Sequence, residues 1–347
     1  MGIVTTLDAP YDEAAESSLT DIRAELSFRR ATRPIFERAL QLAISSHWQE
    51  AKFGIDVLAD FGPKSNFPWR DETVSALIAG THRREPELVS AAISALGRFG
   101  PNEALAHVLE HRSNTKQSVR WSLACALPGF AEGLVSEAHP AVRALIDLSH
   151  DEDSQVRDWA TFGFGTQTET DGPTIRNALM ERLDDEDSNT RHEALVGLAR
   201  RHDRRALPAL VRALSNEFVA DLAIRSAEYL GAPEALTTLR TLAESPNWSL
   251  EESGDAIERC DPVCQSLLYE RLGHFMSLAE SSGLALACYS DRLPHDSGGP
   301  QITVFKTNGC NGRAHNWSFE ELLERADHVV EAALSLVQAD LNRDQGS

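Results

Sequence analysis

Between about residue 18 and residue 275, apolar positions recur at three- and four-residue spacing, the period of a helix with one buried face. Short joints rich in Pro, Gly, Asp and Asn interrupt the pattern, and strand-like alternation is nearly absent there. The pattern also repeats itself. QVRDWATFGFG places Val156, Ala160, Phe164 and Gly165 where NTRHEALVGLA places Thr190, Ala194, Leu198 and Ala199. Upstream, SVRWSLACALP supplies Val119, Leu123 and Leu127, and ELVSAAISALG supplies Leu88, Ala92, Leu96 and Gly97. KFGIDVLADFG is a weaker echo through Gly54 and Leu58, and LAIRSAEYLG repeats the ending through Ala227, Leu230 and Gly231. Positions 88, 119, 156 and 190 follow one another at 31, 37 and 34 residues. A period of that size marks helix pairs that cannot bury an apolar face alone and stack into one core. Ala92, Ala160, Ala194 and Ala227 keep the stacked helices close. Pro173 and Pro208 fall early in the intervening helices, where a missing N–H costs nothing.

The pattern changes after about Ser281. Leu284–Tyr289 is a compact apolar run and Ile302–Thr307 alternates, so both predict short strands joined by a Pro/Gly/Asp loop. Ser318-Phe319-Glu320-Glu321 is a capping box, and Leu322, Ala326, Val329, Val330, Ala333, Val337 and Leu341 line one side of the helix it opens. The expected organisation is an acidic, frayed segment 1–17, a helical array 18–275 and a small α+β unit 281–342 that caps the array.

DEDSQVRDWATFGFG (151–165) and DEDSNTRHEALVGLA (185–199) carry a family resemblance. They resemble the HEAT-like repeats of the type first known from phycobilisome lyases, over roughly residues 45 to 260. The fold this implies is all-α: an α-solenoid of HEAT-like helical hairpins, here with a small C-terminal α+β cap. The resemblance further implies a structural ladder between adjacent repeats, built from an Asp before the second helix and an Arg within it. Asp151 with Arg157, and Asp185 with Arg191, match that pattern. Arg120 keeps the Arg but has Asn114 in place of the Asp, and Arg225 has Val219 six residues before it. Resemblance speaks to fold more than to activity. Two enzyme readings come with it. One is a lyase or isomerase acting on a chromophore or other small molecule. The other is a di-iron hydroxylase, for which His192-Glu193 is a local match; the corresponding Asp158-Trp159 and Trp121-Ser122 cannot complete a ligand set. HEAT-like glycosylases supply a third alternative, nucleic-acid binding through a basic patch.

Charge weighs among these alternatives. The chain has 53 acidic and 33 Lys or Arg residues in 347, a formal charge of −20. Such a balance disfavours nucleic acid and anionic membranes and attracts basic partners. It is also uneven. Residues 147–187 hold twelve acids against Arg157, Arg176 and Arg182, whereas 188–212 hold six Arg against Glu193 and Asp203. The cluster Arg200, Arg201, His202, Arg204 and Arg205 reads as a solvated turn that pairs with the neighbouring DEDxxTR acids. The acidic turns at 151–153 and 184–187 recur once per repeat, which predicts an acidic edge.

Other chemistry is thin. The sequence contains no GxSxG, P-loop or GxGxxG motif. Cys260, Cys264, Cys310 and His315 are weak zinc candidates, because Cys-x₃-Cys with an internal Pro departs from knuckle spacing; small buried hydrophobes are the favoured reading. Five cysteines suit a reduced compartment, and no secretory leader or bilayer-length apolar run is present, so the expected location is cytoplasmic. No cofactor is expected. The expected function is a non-enzymatic scaffold that holds a basic protein partner, such as a toxin, on the concave face or acidic edge. Asp151, Asp153, Asp185, Asp187, Trp121 and Trp159 are the candidate contact residues, with Trp chosen because it is enriched in binding hot spots.

Overall fold

The computed structural model describes residues 32–61, 68–131, 133, 136–216, 219–243, 256, 257, 259–263 and 266, together with the backbone of three strands. The chain divides into two compact units, Met1–Gly197 and Leu198–Ser347. In the first, the helices are α1 (Arg33–Ala43), α2 (Trp48–Asp60), α3 (Arg70–Thr81), α4 (Pro86–Phe99), α5 (Asn102–Leu109), α6 (Gln117–Ala126), α7 (Pro140–Leu148), α8 (Ser154–Phe162), α9 (Pro173–Arg182) and most of α10 (Ser188–Arg200). They pack in two rows. The helices α2, α4, α6 and α8 follow one another in one row, and α1, α3, α5 and α7 in the other. This is an α-solenoid of stacked helical hairpins.

The sequence explains the stacking. In α4, Leu88, Val89, Ala92, Ile93, Ala95, Leu96 and Phe99 are all buried, because α2 covers one side and α6 the other. Each large side chain so buried contributes about 1.5–3 kcal/mol. Close approach depends on small residues. A Cβ added to Gly97 would lie 2.6 Å from the Ala126 Cα, and one on Gly129 would collide with the Gly97 carbonyl. The repeated alanines Ala92, Ala160, Ala194 and Ala227 are each fully buried.

The second unit contains α11 (Leu207–Leu214), α12 (Asp221–Leu230) and α13 (Leu236–Ala243), with α11 packed on the other two. Leu210, Leu214, Ala223, Ile224, Ala227, Leu230 and Leu239 form its buried face. Farther on, β1 (Leu284–Tyr289), β2 (Gln301–Lys306) and β3 (Ala314–Asn316) make an antiparallel sheet in that order. Its register pairs Leu284 with Lys306, and Gln301 with both Tyr289 and Asn316. The second strand begins one residue earlier than the alternation at 302–307 predicts. The third has no sequence signal, since three residues carry too little pattern and pairing decides their conformation. The expected segment 1–17, the capping box at Ser318 and the helix after it lie outside the described residues.

Candidate partner-binding face

The DED turns contain a repeated wiring. Asp151 accepts Arg120 in a fork, Nε to Oδ2 at 2.7 Å and Nη2 to Oδ1 at 2.8 Å. One repeat later, Asp185 accepts Arg157 at 3.0 Å from both Nε and Nη2. Each arginine also donates Nη1 to the carbonyl six residues before it: Arg120 to Asn114, Arg157 to Asp151 and Arg191 to Asp185, at 2.8, 3.0 and 2.7 Å. The guanidinium therefore ties its own turn to the following turn. Asn114 serves through its carbonyl, and the preceding helix carries Val89 at the position of Arg120, so an Asp at 114 would meet no arginine there.

The two aspartates of each turn have different tasks. The first also bends the chain: Asp151 Oδ1 accepts from the Asp153 N–H, and Asp185 Oδ1 from the Asp187 N–H, both at 2.9 Å. The second caps the next helix. Asp153 accepts from the N–H groups of Gln155 and Val156, and Asp187 from the N–H and hydroxyl of Thr190. Burial pushes the Asp151 and Asp185 carboxyls up, but the hydrogen bonds and charge of the arginines outweigh it and hold both below the usual carboxylate range.

This geometry corrects the composition of the acidic edge. The side chains of Asp151 and Asp185 are only 8% and 4% exposed, and their oxygens are committed to arginine and backbone donors. They do not face a partner. The outward acids include Glu152 and Glu186, at 89% and 86% exposure, each touching the arginine of the preceding repeat at its rim. In the arginine turn, Arg205 forks onto Asp203, and Arg204 reaches Glu234 at 2.5 Å.

The tryptophans come together. Helical spacing places Gln155, Asp158, Trp159 and Phe162 of α8 opposite the buried Val156, Arg157, Ala160 and Thr161. Trp121 and Cys125 hold the matching face of α6. The Trp121 and Trp159 rings meet edge-to-face, with centroids 5.7 Å apart at 79°. Trp159 meets Phe162 at 5.7 Å and 83° while remaining 36% exposed. Such edge-to-face pairs are favourable arrangements of the ring quadrupoles.

Asp158 is the functional candidate that sequence reading passed over. It lies on this face, half-buried, and no hydrogen bond or ion pair reaches it among the described residues. Burial first, and the neighbouring negative charge of Asp187 second, raise its carboxyl to about 6. Burial and then the charge of Asp158 raise the Cys125 thiol to about 12, which leaves it unreactive. His192 is also half-buried; burial and then Arg191 lower it, with Asp187 opposing. The available signal for Asp158 is an acid flanked by Trp159 with no Lys or Arg three or four residues away.

Among the described residues, no group of three or more His, Cys, Asp or Glu has the arrangement to hold a metal. Cys260 is buried and its thiol donates to the Ala227 carbonyl at 3.4 Å. Cys264 and Cys310 lie outside the described residues, and His315 falls in β3, described in its backbone only. Among the described residues, no helix is long and apolar enough to cross a membrane.

Stacked hairpins wired by an arginine–aspartate ladder define an α-solenoid repeat protein. Within that class, residues 142–221 are similar to HEAT repeats, the description of the family model that matches them. Protein YibA of Escherichia coli (strain K12) is 36% identical over 98 residues, 28% of this chain and 35% of YibA. The chain thus spans about a third of the length of the curated relatives it matches. The X-ray structure of YibA aligns with 73% of this chain and 98% of that one, at 20% identity and a TM-score of 0.54, a likeness of fold. The complex of CpcE and CpcF of phycocyanin lyase from Nostoc sp. PCC7120 aligns with 67% of this chain and 96% of that one, at 16% identity and a TM-score of 0.42.

Proposed function

We propose that this chain is a non-enzymatic scaffold that holds a protein partner with a basic surface against the face of α6 and α8. The observation that carries this reading is the aromatic run Trp121–Trp159–Phe162, fixed by edge-to-face contacts yet left accessible at Trp159. A rigid aromatic anchor loses little entropy on binding and suits a hot spot. The exposed Glu152 and Glu186 and the net charge of −20 favour a cationic partner and speed its encounter. A basic toxin neutralised by its scaffold is one partner of this kind.

The test is affinity capture from the native host at low salt, using the wild type and a W121A/W159A variant whose helix content is first checked by circular dichroism. The expected result is a basic protein held by the wild type, eluted by salt and lost from the variant. Capture of no protein, or equal capture by both, overturns the proposal.

A further inference from the structure

We infer that Asp158 and Trp159 form a receptor for one arginine side chain of the partner. The inference rests on the scaffold reading and names the chemistry at its centre. Among the described residues Asp158 is a carboxylate without a counter-charge, set in a half-buried position beside the exposed indole of the next residue. Burying charge unpaired is costly, and a cation brought by another molecule removes that cost. Nothing of positive charge from α8 serves: Arg157, its one basic residue, is buried and forked onto Asp185 on the opposite side. From α10, Arg191 donates to the carbonyls of Asp185 and Glu186. The charged group that acts on Asp158 is therefore Asp187, which adds negative potential there, while the effect of Arg191 falls on His192.

The shape of the site selects among cations. Trp121 and Phe162 both stand nearly perpendicular to Trp159 and hold its ring in place while leaving it partly open. A guanidinium is flat, stacks on indole and presents a fork of N–H donors to a carboxylate. It is also less strongly hydrated than an ammonium, so a half-buried site costs it less to enter. Lysine offers a point charge with neither the plane nor the fork. Raised proton affinity at Asp158 adds a consequence: acid neutralises the carboxylate, so binding weakens as pH falls through about 6.

The probe is N-acetyl-arginine amide, titrated into the full chain while the indole N–H resonances of Trp121 and Trp159 are followed by NMR. N-acetyl-citrulline amide, which keeps the shape and lacks the charge, and N-acetyl-lysine amide are the comparisons. A saturable shift of those two resonances is expected with arginine. Binding should be about tenfold or more weaker for citrulline and for D158N. D158N removes the unpaired charge, so folding is not at risk. No saturable shift overturns the inference, as does D158N binding with wild-type affinity or lysine binding as tightly as arginine. The two proposals fail separately: a partner captured equally by wild type and D158N sinks the arginine receptor alone, while arginine binding without any captured protein sinks the scaffold alone.

Discussion

Replacing Asp158 with Asn should stabilise the folded protein at neutral pH. The carboxyl rises from 3.8 to about 6 on folding, so its ionised form is the disfavoured one in the native state. A gap of about two units sets a ceiling of about 3 kcal/mol on the cost of holding that charge well above pH 6. Water on the open side screens it, and about 1–2 kcal/mol is the expected gain for D158N. The sign follows from proton binding. Between 3.8 and about 6 the native state holds more of the proton than the unfolded chain, so acidification over that window favours the native state. The advantage of D158N is therefore widest above pH 6 and closes as the pH falls toward 4. Urea unfolding followed by far-ultraviolet circular dichroism, at about pH 7.5 and about pH 4.5, measures it; with a slope of about 2 kcal/mol per molar the neutral-pH midpoint rises by about 0.5–1 M. A variant that is less stable than wild type at neutral pH, or equally stabilised at both, refutes the reasoning. A gain in stability joined to a loss of arginine binding is the signature of a residue kept for function.

Other residues give outcomes of opposite sign. R157A leaves Asp185 buried without its fork and should cost about 3–5 kcal/mol, whereas R157L/D185L removes both charges and should recover much of it in thermal melts. Asp151 and Asp185 are held below the ordinary carboxylate range, so their stabilisation is present above that range and is lost as pH falls through their depressed folded values. D185N should therefore flatten the acid limb of a plot of urea midpoint against pH. D153A removes the cap of α8 and should cost about 1 kcal/mol, read from the same midpoints. G97A places a methyl 2.6 Å from the Ala126 Cα, forces α4 and α6 apart and should cost about 1–3 kcal/mol; a neutral melt would show that the two helices have room to yield.

The repeat architecture is legible because a stacked hairpin reuses the same positions. Ala160 and Ala194 sit at one point of their repeats and are both fully buried. Asp185 recurs where Asp151 does, so one motif reports both turns. The motif does not tell which copy of a residue meets which. Asp151 and Arg157 share a motif, yet the fork on Asp151 comes from Arg120, one repeat earlier, and Arg157 reaches forward to Asp185. Repetition also misdirects the reading of charge, since an acid that recurs in a turn reads as surface decoration. The burial of Asp151 and Asp185 follows from long-range contacts with arginines that a local reading cannot place.

Asp158 is hidden for the opposite reason: it does not repeat. The corresponding positions are Trp121 and His192, so no periodic signal calls attention to it, and an isolated acid on a helix is ordinarily solvated. Packing changes its meaning. The row of α6 and α8 brings Trp121 to Trp159 although the two lie one position apart in their motifs, and half-buries the adjacent carboxylate. A repeat array stabilises itself through what its repeats share. Its specificity resides where they differ, because only the unlike positions can give one point on a regular surface its own chemistry. In this chain the shared Asp, Arg and Ala positions are spent on the ladder and the core, and the unlike trio Trp121, Asp158 and His192 falls on the side of α6, α8 and α10 that the ladder leaves open.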